Sequence, residues 1–425
     1  MATPYDGIFA AAPTTVRGQP TVLSVDTKGE KLVYGCGRTV IIRGVQNPLC
    51  AELFTEHPKD VTVAKISPSG FYCASGDAGG LVKIWSTDNP EHPVKFEGQV
   101  LAGSVTDLQW SPDSQLVVAV GDGRECFGKV FAWDTGSTRG DIAGHGKKVL
   151  SCDLRPVKPY RVVSASEDMQ VNLYEGPPFK FVKSMREHTK FANCARFSPD
   201  GALLCTVGSD MKVVIYDAAS GEKKGELSGH TGSVYACSWA PDSRRVATAS
   251  ADKTVKIWDA GSLALLQTAT FADKPAMEDM QVGCVWVPGS DTVVSLSLRG
   301  DLSYIDASRG GRPTRTVKGH NKAVTALAAD AGSGVVLAGS YDGSILRFDL
   351  GSGEVGDGGV GGGLEGKGHS NGIVDMAVLG TTLVSCGLDD TLRVATLNDA
   401  KYTGEVLALG GQPRGMAVAA DGTLA

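Results

Sequence analysis

Residues 229–259 read GHTGSVYACSWAPDSRRVATASADKTVKIWD, and the fold is decided in this stretch. Val234-Tyr235-Ala236-Cys237-Ser238-Trp239 has the length and the β-branched and aromatic content of a strand. Pro241-Asp242-Ser243 turns the chain into Val246-Ala247-Thr248-Ala249-Ser250, and Asp252-Lys253 turns it again into Val255-Lys256-Ile257-Trp258. Short strands separated by turn residues predict an antiparallel meander. One such meander leaves an apolar face uncovered, so the unit needs neighbours of its own kind. Its head, Gly229-His230, and its tail, Trp258-Asp259, are the markers by which to find them.

Both markers recur in phase. Six of the seven histidines (His57, His145, His188, His230, His320 and His369) are spaced by 88, 43, 42, 90 and 49 residues, one or two units each. The tail returns as Ile84-Trp85, Trp133-Asp134, Ile215-Tyr216-Asp217, Ile305-Asp306 and Phe348-Asp349. A period of this size belongs to an all-β WD-repeat β-propeller, each blade a four-stranded sheet. Ile42, Trp85, Trp133, Tyr174, Tyr216, Trp258 and Ile305 mark seven units up to about residue 311. Gly319-His320 opens an eighth unit, Gly368-His369 a ninth, and a tenth starts near Gly410. Propellers close with about 4–8 blades. The expectation is therefore one complete seven-bladed ring over 1–311 and, over 312–425, the first two to three blades of a second ring cut short by roughly four to five blades.

Composition bounds the function. The net charge of −6 and pI near 5.7 argue against a general nucleic-acid binder, and an acidic surface suits a basic protein partner. Ten cysteines without a CxxC pair, several in apolar runs (Cys152, Cys194, Cys237, Cys386), read as buried thiols in a reducing compartment. No secretory signal opens the sequence and no apolar run reaches the ~18 residues of a membrane span, so a cytoplasmic protein is expected. The Gly-rich segment Gly351–Gly368 nearly spells a phosphate loop at Gly361–Lys367, but Gly368 follows where Ser or Thr is required, and it reads as a loop.

Each good repeat offers His, Ser or Thr, and Asp, as in His230, Thr248 and Asp252. A catalytic site needs one unique constellation, and this one recurs blade after blade. It reads as a buried network that pairs polar groups. The expectation is no catalytic residue, no metal ligand and no cofactor. A unique polar cluster in the central channel would revive an enzymatic reading.

Register also locates a candidate surface. The fourth residue after each histidine (Val61, Val149, Ala192, Val234, Val324, Ile373) is apolar and should start the core, so the third (Asp60, Lys148, Phe191, Ser233, Ala323, Gly372) should face out. Phe191 is the one large aromatic there and reads as an interface residue. On the same rim, Asp122 to Trp133 spans eleven positions where other blades span six, lengthening Gly123–Gly128 into a loop. Beside it lie Glu167-Asp168 and Glu175-Gly176-Pro177-Pro178-Phe179-Lys180-Phe181. Phe179 reads as packing between blades; Phe181, taken to lie near the rim end of its strand, reads equally as packing or contact.

These strings resemble a particular family. Gly123–Gly128, Glu175–Phe181, Phe197-Ser198-Pro199-Asp200-Gly201 and Asp279-Met280-Gln281-Val282-Gly283-Cys284-Val285-Trp286 are similar to the actin-interacting protein 1 family, as are Glu56-His57, Ser67-Pro68-Ser69-Gly70-Phe71 and Ala74-Ser75-Gly76-Asp77. The resemblance implies two seven-bladed propellers in a non-enzymatic protein of the cytoplasm and actin cytoskeleton. Its partners would be the actin filament and ADF/cofilin, with no nucleic acid or membrane, and the chain would be a monomer that promotes severing, capping and disassembly. Carried over by motif, the actin/cofilin-binding residues would be Glu125, Glu167, Lys180, Phe181 and Phe191. The family commonly has Asp where Glu167 stands. The alternative is a WD-repeat scaffold for another complex, such as a ubiquitin-ligase substrate receptor.

Overall fold

The computed structural model describes residues 8–330, 332, 334–350 and 363–417. Among them eight four-stranded sheets and one three-stranded sheet are sequential antiparallel meanders. They fall into two compact units. One holds residues 13–46 and 50–316; the other holds the residues up to 12, 47–49 and those from 317 onward.

The first unit is a ring of seven blades. Its innermost strands are Ser24–Val25, Val61–Ile66, Val105–Trp110, Val149–Leu154, Ala192–Phe197, Val234–Trp239 and Gln281–Trp286. Each packs beside the next, and the seventh packs beside the first. Thr21 N donates to Val282 O at 3.0 Å across that closing seam. The reason is the one read from the repeat: each sheet's apolar face is covered by its neighbour. Val163, Leu173 and Met185 of blade four meet Phe197, Leu204 and Tyr216 of blade five in one buried cluster. Polar side chains stitch the same seams. Asn193 Nδ2 donates to Val234 O at 2.7 Å, and the indoles of Trp110 and Trp239 donate to the backbones of Lys65 and Arg196 at 3.0 and 2.9 Å.

Register corrects one sequence marker. Val117 pairs with Phe131, as Cys73 pairs with Trp85, Val162 with Tyr174 and Val246 with Trp258. Phe131 is therefore the marker ring of blade three, and Trp133 lies outside the strand, 4.5 Å from Tyr72 of blade two. The loop insertion is smaller than the expected five residues: ten positions separate Gly121 from Phe131, against eight between Ser166 and Tyr174. The Gly121 N to Phe127 O bond at 2.9 Å folds the loop back on itself.

The second unit contains blade eight (Val324–Asp330, Val335–Ser340, Ile345–Asp349) and blade nine (Ile373–Leu379, Thr382–Gly387, Thr391–Thr396, Lys401–Ala408). Leu337, Ile345, Ile373, Met376 and Leu383 share its core. The Phe9 ring lies 5.1 Å from Phe348, and Ala12 N donates to His320 O at 3.0 Å. Val61, Val149, Ala192, Val234 and Ile373 are buried as expected, but Val324 is exposed. Among the described residues of this unit no sheet precedes blade eight to cover that face. Residues 410–417 form no strand, and 351–362, with most of the Gly-rich segment and the first two residues of the near phosphate loop, lie outside the described residues, as does the end of the tenth unit.

Candidate docking face

The recurrent polar set is a relay that fixes loops. Trp258 Nε1–H donates to Thr248 Oγ1 at 2.8 Å; that hydroxyl lies 2.8 Å from His230 Nε2, and His230 Nδ1 lies 2.7 Å from Asp252. An indole only donates, so the Thr248 hydroxyl accepts from Trp258, and a carboxylate only accepts, so His230 Nδ1 donates to Asp252. Asp252 then accepts Thr231 N at 3.1 Å, pinning the loop that leads into the blade. His57, His145, His188 and His369 repeat the arrangement with Ser75 and Asp77, Ser164 and Asp168, Thr206 and Asp210, and Ser385 and Asp389. Blade eight breaks it: Ala338 stands where the hydroxyl should be, and His320 Nε2 turns to the Ala338 carbonyl at 3.0 Å.

Burial sets the charges. Loss of solvation lowers the pKa of His57 and His145 despite the pull of Asp77 and Asp168, and lowers His320 against its Ala338 and Asp342 partners. Burial also opposes ionisation of Asp252, but its bonds from His230, Thr254 and Thr231 outweigh that and hold it at about 2. The relays are built to stay put.

On the rim these relays present two loops per blade, joined by a repeating bond. The third residue after the histidine accepts a hydrogen bond from the turn between the second and third strands: Ser209 N to Phe191 O, Glu167 N to Lys148 O and Ala251 N to Ser233 O, at 2.8, 3.0 and 2.8 Å. The backbone of Phe191 is thus fixed while its side chain stays free. Phe191 is 43% exposed. Asp60 and Ala323 are exposed too and Lys148 half-buried, but Gly372 is buried, with its missing Cβ position 3.1 Å from Tyr341 O.

The five residues carried over by motif divide into two groups. Glu125 is exposed in the folded-back loop of blade three, and Glu167 is half-buried beside Lys148, so these share the rim with Phe191. Lys180 and Phe181 are exposed but open the outer strand Lys180–Met185, which pairs Glu175 with Lys180 and Val171 with Met185. A meander's fourth strand runs back toward the rim, so its first residues lie at the far end. The expectation that Phe181 lies near the rim end is corrected by this register. Its ring nevertheless leans on Tyr174 at 6.0 Å and reaches Gly144 in the loop leading into blade four, where a methyl group would sit 3.7 Å away. Phe179 is buried in the core between blades three and four.

Two residues escaped the sequence reading. Met169 and Met211, in the turns of blades four and five, are each 43% exposed and have φ of 69°. Their amides bond Ser166 O and Gly208 O, as Gly300 and Gly343 bond Ser297 O and Ser340 O in blades seven and eight. A side chain in this left-handed conformation costs about 1–2 kcal/mol, which is why glycine is the usual occupant. The signal was the absence of glycine after the turn aspartates Asp168 and Asp210. With Phe191 they are the exposed apolar side chains of the rim loops of blades four and five, which also carry Lys147, Lys148, Lys190 and Lys212, while the exposed Phe181 and Val182 lie toward the far end of the outer strand.

The channel of the ring holds a second polar group, in a cavity of about 300 Å³. Asp107 Oδ2 accepts Arg196 Nη2 at 2.8 Å, the Ser151 hydroxyl at 3.0 Å and Cys152 N at 3.1 Å, and Lys65 Nζ lies 3.2 Å from its other oxygen. Asp153 accepts Phe197 N at 2.7 Å, Leu154 N at 3.0 Å and the Gln109 amide. Burial raises the Asp153 pKa, whereas for Asp107 the Arg196 and Lys65 charges overcome burial and lower it. This is the unique cluster that could have revived an enzymatic reading. Its carboxylates are taken up in joining blades two to five, and an interior ion network of this kind is a crosslink. Among the described residues no group of three or more His, Cys, Asp or Glu could hold a metal ion, and no helix is long and apolar enough to cross a membrane.

Seven four-stranded blades, four of them pinned by His–Ser/Thr–Asp relays, define a WD-repeat propeller scaffold. Residues 49–86, 93–124, 179–217, 221–259 and 311–349 match the WD domain, G-beta repeat family. The chain is 44% identical over 97% of its length to a 66 kDa stress protein of Physarum polycephalum, 67% of which is covered. It is 43% identical, again over 97%, to actin-interacting protein 1 of Drosophila melanogaster, covering 66% of it. To WD repeat-containing protein 1 of Gallus gallus it is 41% identical over 99%, covering 69%. The chain belongs to the family of actin-interacting protein 1 and WD repeat-containing protein 1, and spans about two thirds of the length of these relatives.

Proposed function

We propose that this chain is a non-enzymatic actin regulator of the cytoplasm that docks on filaments decorated with ADF/cofilin and promotes their severing, capping and disassembly. The observation that carries the reading is the 43% identity over 97% of the chain to a protein named for its interaction with actin. The exposed ring of Phe191, on a backbone held by the His188–Asp210 pair, supports the placement of the contact. In this reading Phe181 and Phe191 bury apolar surface while Glu125, Glu167 and Lys180 set register. Although the chain is acidic overall, the lysines of these rim loops suit an acidic partner surface.

Disassembly follows from selective affinity. A protein that prefers the cofilin-bearing filament over the bare one shifts the population toward the states it binds, and one without preference shifts nothing. Co-sedimentation of the chain with bare and with cofilin-coated actin tests this. The expected result is pelleting with coated filaments well above that with bare ones. Equal pelleting with both, or none, would overturn the reading.

A further inference from the structure

We propose that Met169 and Met211 are contact residues of the docking face, and that oxidation of their thioethers releases the partner; this rests on the docking reading above. The two side chains occupy equivalent turns of neighbouring blades, one on either side of the loop that carries Phe191. Both are held in left-handed backbone, where blades seven and eight use Gly300 and Gly343 and blade six uses a charged Lys253. An apolar side chain here is disfavoured by the backbone and by water at once, and strain kept in this way clusters at contact sites. Unbranched thioethers adapt to an irregular partner surface and suit a docking face. The partner is the cofilin-bearing filament, and the four lysines of these loops would complement acidic groups on it.

The same chemistry exposes the face to oxidants. Hydrogen peroxide transfers one oxygen atom to the thioether sulfur. The sulfur loses two electrons and becomes a sulfoxide, and the peroxide is reduced to water. The sulfoxide is polar, so an apolar contact becomes one whose oxygen must be desolvated on docking. Met185 and Met376 are buried and shielded, whereas Met277, exposed on blade seven away from these loops, provides an internal control.

The test uses the full chain, treated with hydrogen peroxide, freed of oxidant with catalase and then mixed with cofilin-coated actin. Peptide mass spectrometry follows sulfoxide at each methionine, and a melting curve confirms that the fold is kept. Sulfoxide at Met169 and Met211 should weaken co-sedimentation roughly tenfold or more. The M169L/M211L variant should bind before and after treatment, because leucine keeps the apolar volume without the sulfur. M169Q/M211Q should bind as weakly as the oxidised chain without any oxidant, and M277L should behave as wild type. If the untreated chain pellets normally and remains bound with both sulfoxides formed, the oxidation proposal fails alone. Loss of binding by oxidised M169L/M211L would overturn it as well, by placing the sensitive residue elsewhere. An untreated chain that never pellets would sink the docking reading and this proposal with it.

Discussion

Arg196, on the innermost strand of blade five, places Nη2 2.8 Å from Oδ2 of Asp107 on blade three and so ties two blades that are not neighbours. Asp107 is fully buried. Removing one partner of a buried pair costs more than the pair contributes, because the other charge is left behind. Arg196→Ala should therefore lower stability by about 3–5 kcal/mol in a denaturant titration. Because Lys65 remains as a second cation beside Asp107, Arg196→Met combined with Asp107→Asn should lose less than the sum of the two single losses. The coupling should be on the order of 1–3 kcal/mol. Strict additivity would show that the two side chains do not act together.

The relay in blade six makes a narrower prediction. The Thr248 hydroxyl serves Trp258 Nε1 and His230 Nε2 together, both in the interior. Thr248→Val keeps the shape and strands two polar groups, each costing about 1–3 kcal/mol when left unmet. A loss of about 2–4 kcal/mol is expected in a denaturant titration. In blade eight the change runs the other way. Ala338→Ser restores the missing hydroxyl opposite His320 and should raise the melting temperature of that unit.

Acidification should act in two stages. His57, His145 and His320 have folded pKa values below the ordinary ~6.5, so between the folded and unfolded values the unfolded chain holds more protons. Their contribution is complete above ~6.5, falls as pH drops below it, and levels off beneath the folded values. Asp252, held at about 2 against an ordinary ~3.9, contributes fully above ~3.9 and loses that contribution as pH falls toward 2. Melting temperature recorded from pH 8 to pH 3 at constant ionic strength should show a plateau, a first decline starting near 6.5 and a second below 4. A flat profile down to pH 5 would contradict the buried neutral imidazoles.

The ring was legible because its determinants are local and repeated: six of the seven histidines each announce a blade, and Trp, Tyr or Ile closes most of them. Register failed where a repeat departs from its neighbours. Trp133-Asp134 imitates the closing pair, so the folded-back loop was counted from the wrong ring and Phe131 was passed over. Phe181 was misplaced because a strand's direction in the meander, which its composition does not reveal, decides which end meets the rim. Met169 and Met211 gave only a negative signal, a glycine that is not there. The channel network was visible in principle: Lys65, Gln109, Asp153 and Arg196 all take the fifth place of an innermost strand. What no single repeat shows is that closing the ring brings those places together.

Two phenylalanines near one another in the sequence separate docking from folding. Phe191 projects from a rim whose backbone bonds do not involve its ring, and at 43% exposure its removal leaves little cavity. Phe179 is 3% exposed, packed among Val130, Ile142 and Tyr174. Phe191→Ala should keep the wild-type melting temperature and weaken co-sedimentation with cofilin-coated actin by roughly 30-fold or more, the loss expected of a central contact. Phe179→Ala should instead lose about 3–5 kcal/mol of stability by opening a cavity between blades. Wild-type binding by Phe191→Ala at an unchanged melting temperature would move the contact off this rim, whatever else the propeller binds.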